Sequence, residues 1–140
     1  MNVEVNVWAV VLAMLSSLVV GSVWYARSVF GNTWIKLAKI DMGKDGGSVF
    51  KPIAITMVVS LITAYVLAHV SFLSHEYFNN SFLQDSLTTA FWMWLGFTAA
   101  RFITHDAFEG RPAKLTLLNI SNEFVTFMVM GLVIGLMGIG

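Results

Sequence analysis

Long stretches without a formal charge are the feature that most restricts how this chain can fold. Val5–Ala26 is a run of 22 uncharged residues and Pro52–His75 is a run of 24, while Ser86–Ala100 contributes 15. From Leu115 to the last residue the sequence contains one charged residue, Glu123. A helix needs about 20 mainly apolar residues to cross the hydrocarbon core of a bilayer, so these runs predict membrane-spanning helices.

The sequence therefore predicts an all-α membrane protein, a single domain over residues 1–140 with four transmembrane helices in an antiparallel bundle. Arg101 would lengthen the third span by directing its charged end outward. With 57% hydrophobic and 11% charged residues, the chain has too little polar surface for a soluble domain. The first span lacks the basic start and the small cleavage residues of a signal peptide. The predicted spans are about Val5–Tyr25, Ile53–Phe72, Ser86–Ile103 and Leu115–Ile139.

The basic residues are distributed unevenly along the chain, and this predicts its orientation. All eight Lys and Arg residues lie in or beside the first and third connections between the spans. The positive-inside rule places such connections in the cytoplasm, which puts both termini outside. The formal net charge is zero, so nucleic acid is not expected as a partner, because phosphate binding needs a basic excess. The lipid bilayer is the expected environment.

The first connection contains more than a linker. Residues 32–42 predict a short amphipathic helix on the cytoplasmic leaflet, with Trp34 on its apolar face and Lys36 and Lys39 turned toward water. The glycine-rich run Gly43–Gly47 would end this helix. That run lacks the spacing of a phosphate-binding loop.

Small residues at four-residue spacing predict where helices approach closely, because lipid removes the hydrophobic force between helices and leaves close backbone packing. The glycine pair of the fourth span lies roughly 100–160° around the helix from Glu123. The fourth helix would thus have two contact faces, one for the bundle and one for a neighbouring subunit. The predicted packing residues are Ala9, Ala13, Ser17, Gly21, Gly131 and Gly135.

Glu123 is the residue that most invites a chemical interpretation, since it lies roughly 13 Å past Lys114 along the fourth helix. A carboxylate at that depth requires a partner, a water-filled cavity or protonation. Arg101, entering from the same side, is the predicted partner, and Tyr65 is the second candidate. The face that carries the carboxylate consists of Asn119, Asn122, Glu123 and Thr126.

Two interpretations of Glu123 remain open at this point. It is either a proton or cation site, or part of a buried ion pair and amide network that fixes the register of the helices.

Other chemistries find little support. The chain has no cysteine, and His69 and His105 lie roughly a membrane thickness apart, too far to share a haem. His105, Asp106 and Glu109 fall within one turn but form a weak cation site on an exposed loop. No Ser/His/Asp grouping or facing pair of carboxylates is evident. We therefore expect no metal, no cofactor and no enzymatic activity.

Short motifs at the ends of the spans carry a resemblance to a known family. Gly21-Ser-Val-Trp24-Tyr25 is followed by Phe30-Gly31-Asn-Thr-Trp34, and Phe108-Glu-Gly-Arg111-Pro leads into the last helix. Over nearly its full length the chain resembles a family of small bacterial membrane proteins known only as a domain of unknown function. The resemblance implies a four-helix protein of the bacterial inner membrane and supplies no activity. It implies that one group of residues at the cytoplasmic interface matters: Trp24, Tyr25, Gly31, Trp34, Gly110 and Arg111.

Two functions are compatible with these features. The first interpretation is a non-catalytic membrane protein that acts by self-assembly or as a small subunit of a membrane complex, with its aromatic and basic cytoplasmic surface as the contact region. The alternative is a small oligomeric proton- or cation-coupled transporter or channel that uses Glu123 and the asparagine face. An intramembrane enzyme ranks third, because no nucleophile and base lie within reach of each other.

Overall fold

Helices are the only regular secondary structure in residues 3–41 and 49–140, the part of the chain that the computed structural model describes. The α-helices are α1 (Val7–Trp24), α2 (Asn32–Ala38), α3 (Phe50–Phe78), α4 (Phe82–Met93), α5 (Ala100–Phe108) and α6 (Ala113–Met137). Two π-helical segments complete the helical structure, Arg27–Gly31 before α2 and Trp94–Ala99 between α4 and α5. The predicted all-α fold is confirmed.

Three of these helices, α1, α3 and α6, are long and apolar enough to cross a membrane. Their bounds lie close to three of the predicted spans. The difference is in α3, which continues past the predicted end at Phe72 as far as Phe78. His75 in this extension contacts α4, and the helix ends where Asn79 adopts a left-handed φ of 54°.

The remaining predicted span, residues 86–103, lies inside a longer helical run. In this run, Phe82–Phe108, α4, the second π-helical segment and α5 follow one another without a break. Trp94 begins the π-helical segment, and its indole Nε1 donates a hydrogen bond to the Ile120 carbonyl oxygen at 2.9 Å. Its ring also packs against Phe124 with centroids 4.8 Å apart. The wider turn is therefore held against α6.

The predicted interfacial helix over residues 32–42 is shorter than expected. α2 ends at Ala38 because Lys39 takes a left-handed φ of 53°. Asn32 does not cap the helix with its side chain, since its amide donates to the Arg27 carbonyl oxygen at 3.1 Å. The glycine-rich run Gly43–Gly47 lies outside the described residues.

α6 packs against both α1 and α4 and so lies at the centre of the helical arrangement. At the start of α1, the Asn6 side-chain amide donates to the carbonyl oxygens of Met137 and Gly138, each at 3.4 Å. At the other end of α1, Tyr25 contacts Asn119 in the first half of α6. These contacts bring opposite ends of the two helices together. The core between the helices is filled by apolar side chains, among them Ala9, Ala13, Ala64, Leu67 and Met130.

The predicted packing residues differ in whether the structure places them against another helix. Ala9, Ala13 and Ser17 are buried, whereas a Cβ atom added at Gly21 would meet nothing within 4 Å.

The glycine pair of α6 lies against α4. A Cβ atom at Gly131 would lie 2.9 Å from the Ala90 Cβ, and one at Gly135 would lie 2.7 Å from the Leu83 Cα. The glycine face of α6 is thus occupied within the chain, and it is not the face that remains for a neighbouring subunit.

Candidate functional site

The candidate site begins where α1 ends and the chain turns back through the first π-helical segment. A Cβ atom at Gly31 would overlap the Tyr25 carbonyl oxygen, so a residue with a side chain does not fit this close approach. The turn stacks the aromatic residues of the two motifs. Trp24 and Phe30 have ring centroids 4.6 Å apart, and Tyr25 and Trp34 have centroids 5.2 Å apart. The sequence motifs therefore build two aromatic pairs, here called the aromatic cluster, and the second pair places Tyr25 against Trp34.

Tyr25, the residue directly after α1, points its phenol at the polar face of α6. The hydroxyl donates a hydrogen bond to Asn119 Oδ1 at 3.0 Å. A phenol is protonated at neutral pH, so this hydroxyl acts as the hydrogen-bond donor.

The polar face of α6 presents more acceptors than the described residues satisfy. Asn122 is 6% exposed, and its buried Oδ1 atom has no hydrogen-bond partner among them. Glu123 is half-buried, and within residues 3–41 and 49–140 its carboxylate has no hydrogen bond or ion pair. Thr126 is also half-buried, one turn farther along the helix. We call Tyr25, Asn119, Asn122 and Glu123 the Glu123 site.

The two partners predicted for Glu123 lie elsewhere. Arg101 is exposed and lines an open pocket with residues of its own helix, among them Phe97 and His105. Tyr65 is 53% exposed, with its ring 6.1 Å from that of His69. The predicted Arg101–Glu123 ion pair is therefore wrong for the described residues. The tyrosine near Glu123 is Tyr25 and not Tyr65, and its hydroxyl is bonded to Asn119 rather than to the carboxylate.

A second polar cluster lies at the connection between α5 and α6. Asp106 is buried and accepts a hydrogen bond from the Thr116 hydroxyl at 2.7 Å. Arg111 Nε lies 2.6 Å from a Glu109 oxygen and 3.8 Å from Asp106 Oδ1. Gly110 turns the chain with a φ of 65°. Gly110 and Arg111 thus belong to this loop, apart from the aromatic cluster of the other motif residues.

The weak cation site considered on this loop has a different geometry from the one expected. His105 is exposed, while Asp106 on the same turn is buried against Thr116. In the described ranges, no three His, Asp or Glu side chains are grouped so that they could hold a metal ion.

A third polar cluster, at the turn between α3 and α4, was not anticipated from the sequence. Asp85 is 2% exposed, and its two carboxylate oxygens contact His75 Nδ1 at 3.1 Å and Asn80 Nδ2 at 3.0 Å. We call these three residues the Asp85 cluster. The available signal was an acidic residue in the first turn of a helix that begins directly after a short connection.

Three long apolar helices place this chain in the class of membrane proteins, with a polar site on one of them. The chain belongs to the family described as "Protein of unknown function (DUF1761)", whose model matches residues 8–135. The predicted membership in a family of unknown function is thus confirmed. No curated protein and no solved structure matches the chain.

Proposed function

We propose that the chain crosses the membrane four times as an antiparallel bundle, with the run Phe82–Phe108 as its third span. At about 1.5 Å per residue this run is about 40 Å long, which exceeds the hydrocarbon core of a bilayer. Close approaches near both of its ends support this arrangement. Leu83 lies against Gly135, and Asp106 is bonded to Thr116, so the run and α6 meet by opposite ends.

The orientation we propose has the first and third connections in the cytoplasm and both termini outside, in the inner membrane of a bacterium. Its support is the placement of every Lys and Arg residue in or beside those two connections.

In this bundle, Glu123 binds a proton or a small cation, and the protein is a small transporter or channel without enzymatic activity. The observation that carries this proposal is the Glu123 carboxylate, which has no basic partner in the described chain. An unpaired carboxylate in a membrane helix is costly and marks an ion or proton pathway by default. The Asn122 oxygen beside it also lacks a donor, which gives an entering cation or protonated group a second acceptor.

The proposed transporter is a homo-oligomer. The space between the helices of one chain is filled by alanine, leucine, phenylalanine, methionine and isoleucine side chains. Because the main core cluster of the described residues is apolar, we place the path for ions at a boundary between copies.

Assembly as a small subunit of a membrane complex is the second candidate function. It is supported by the same observation, the Glu123 carboxylate without a basic partner in the described residues. Glu123 is half-buried, so a Lys or Arg side chain of another membrane protein could approach it. In lipid such an ion pair would hold the two proteins together.

Flux measurements on reconstituted protein test the first candidate. Vesicles containing the wild type should pass protons, sodium or potassium faster than empty vesicles, as read by a pH-sensitive or ion-sensitive dye inside them. Glu123→Gln should abolish this flux, whereas Glu76→Gln, which changes an exposed acid at the end of α3, should keep it.

Wild-type flux equal to that of empty vesicles would contradict transport. The mass of the complex in detergent then tests the second candidate, because a partner held by Glu123 should copurify with the wild type and be lost from Glu123→Gln. If Glu123→Ala leaves flux, assembly and folding unchanged, both candidates are wrong.

A further inference from the structure

The outward face of α5 and the π-helical segment before it carries an open pocket of about 380 Å³. It is separate from the Glu123 site. One helical face provides all of its lining: Phe97, Thr98, Arg101, Phe102 and His105.

The charge in this pocket has no acidic partner. Within the described ranges Arg101 forms no salt bridge, and the carboxylates that follow it in α5 and the next loop are already engaged. Asp106 accepts from Thr116 and lies near Arg111, which also pairs with Glu109. The guanidinium is therefore free to bind an anion from outside the chain.

The position of Arg101 indicates which anion it meets. Arg101 lies seven residues before the end of α5 at Phe108, which is about 10 Å along the helix axis. If Phe82–Phe108 spans the bilayer, a side chain at that depth extends toward the headgroup layer. The phosphate oxygens of phospholipids are the abundant anions there, and a guanidinium binds them with two parallel hydrogen bonds.

We propose that this pocket binds an anionic glycerophospholipid, with Arg101 on the phosphate and the two phenylalanine rings against an acyl chain. Phe97 is 77% exposed, so an apolar wall lies directly beside the cation. A free phosphate ion would contact only the guanidinium. A lipid would contact the guanidinium with its phosphate and the phenylalanine rings with its acyl chain. The His105 imidazole, which lies between Arg101 and the end of α5, supplies a further polar contact at the headgroup end.

This inference rests on the third span proposed above and goes beyond the function proposed for Glu123. The lipid-binding proposal and the transport proposal can be disproved independently, because lipid selectivity at Arg101 does not require ion flux through the Glu123 site.

Native mass spectrometry of the full chain in a neutral detergent tests the proposal. The protein is titrated with phosphatidylglycerol and, separately, with phosphatidylcholine of the same acyl chains. The wild type should retain phosphatidylglycerol preferentially. Arg101→Gln should weaken phosphatidylglycerol binding about fivefold and leave phosphatidylcholine binding unchanged.

Matched variants separate the pocket from general surface charge. Arg27→Gln removes one exposed positive charge outside the pocket and should keep the preference. Arg101→Lys should retain part of it, since the charge remains but the paired hydrogen bonds are lost. Phe97→Ala should weaken the binding of both lipids to a similar extent.

Three results would overturn the proposal. In the first, the wild type binds the two lipids equally. In the second, Arg101→Gln and Arg27→Gln lose phosphatidylglycerol to the same extent. In the third, a species other than a lipid occupies the pocket: either inorganic phosphate displaces phosphatidylglycerol, or a second copy of the chain fills the pocket and its dimer mass is lost in Arg101→Gln.

Discussion

The Asp85 cluster and the Glu123 site each place a carboxylate among helices, but they differ in how completely that carboxylate is satisfied. Asp85 is almost fully buried, and each of its oxygens has a nitrogen partner from a neighbouring turn or helix. Glu123 is only half-buried, and the polar groups around it leave its own oxygens unbonded in the described chain. The two carboxylates therefore differ both in burial and in hydrogen-bond partners, and the partners decide which of them has vacant acceptors.

This difference suggests two roles for acids in the same fold. A carboxylate with a partner on each oxygen holds α3 and α4 together and has less capacity for a further ligand. A carboxylate whose acceptors are vacant makes the fold less stable and can bind a proton or a cation. The following substitutions test this contrast, from the largest expected effect on stability to the smallest.

Asp85→Ala should be the most damaging change, lowering the free energy of unfolding by about 2–4 kcal/mol. The substitution leaves His75 and the Asn80 amide without their shared acceptor at the α3–α4 turn. Denaturant titration of the purified protein in detergent micelles measures the loss. Glu76→Ala, an exposed acid near the same turn, is the control, and an equal loss in both variants would remove the contrast.

Gly135→Ala should lower stability by about 1–3 kcal/mol, because the added methyl group meets the backbone of α4 at Leu83. The contact adjoins the Asp85 cluster and tests whether that end of the bundle is rigid. Gly21→Ala, where the new methyl group has open space, should be neutral or stabilising. Similar thermal denaturation midpoints for the two alanine variants would show that α4 yields at this point.

Tyr25→Phe should cost about 1 kcal/mol, since it removes the hydrogen bond to Asn119 while keeping the ring against Trp34. It should also reduce ion flux if the phenol positions the Glu123 site. Tyr65→Phe alters an exposed ring on α3 and is the matched control. If Tyr25→Phe and Tyr65→Phe have equal stability and equal flux, the Tyr25 hydroxyl does not contribute to the Glu123 site.

Glu123→Gln should cause no loss of stability and should instead raise the free energy of unfolding. The amide removes a charge that has no basic partner in the described residues. The same denaturant titration applies, read together with the flux assay. A loss as large as that of Asp85→Ala would make Glu123 a structural residue like Asp85.

Much of the fold could be predicted because charge-free length and small-residue spacing are local properties of the sequence. The runs around α1, α3 and α6 were predicted with bounds close to those observed. The polar face of α6 was also predictable, because Asn119, Asn122 and Glu123 follow helical spacing on one unbroken helix.

The partners of the polar residues could not be predicted, because they depend on how the elements meet. The pairing of Arg101 with Glu123 assumed an unbroken third helix. The π-helical segment Trp94–Ala99 adds about one residue to a turn, which rotates everything after it by about 100° relative to a regular α-helix. Arg101 consequently lies on the outward face, and Asp106 lies on the inward one.

The contact of Tyr25 with α6 depends on the turn through Gly31, which the spacing of residues along the sequence does not predict. The turn through Gly31 brings Trp34 back over Tyr25 and directs the phenol at Asn119. The Asp85 cluster likewise joins residues on two helices and the connection between them, so neither helix alone shows it.

The indole N–H of Trp24 is buried and has no acceptor among the described residues, and the residue lines an open pocket of about 360 Å³ together with Trp94 and Phe124. An indole whose N–H is not hydrogen-bonded emits at short wavelength. Its spectrum would move to longer wavelength as soon as water or a polar molecule entered. In a variant whose other four tryptophans are replaced by phenylalanine, Trp24 would report such an entry one residue before Tyr25, without an added label.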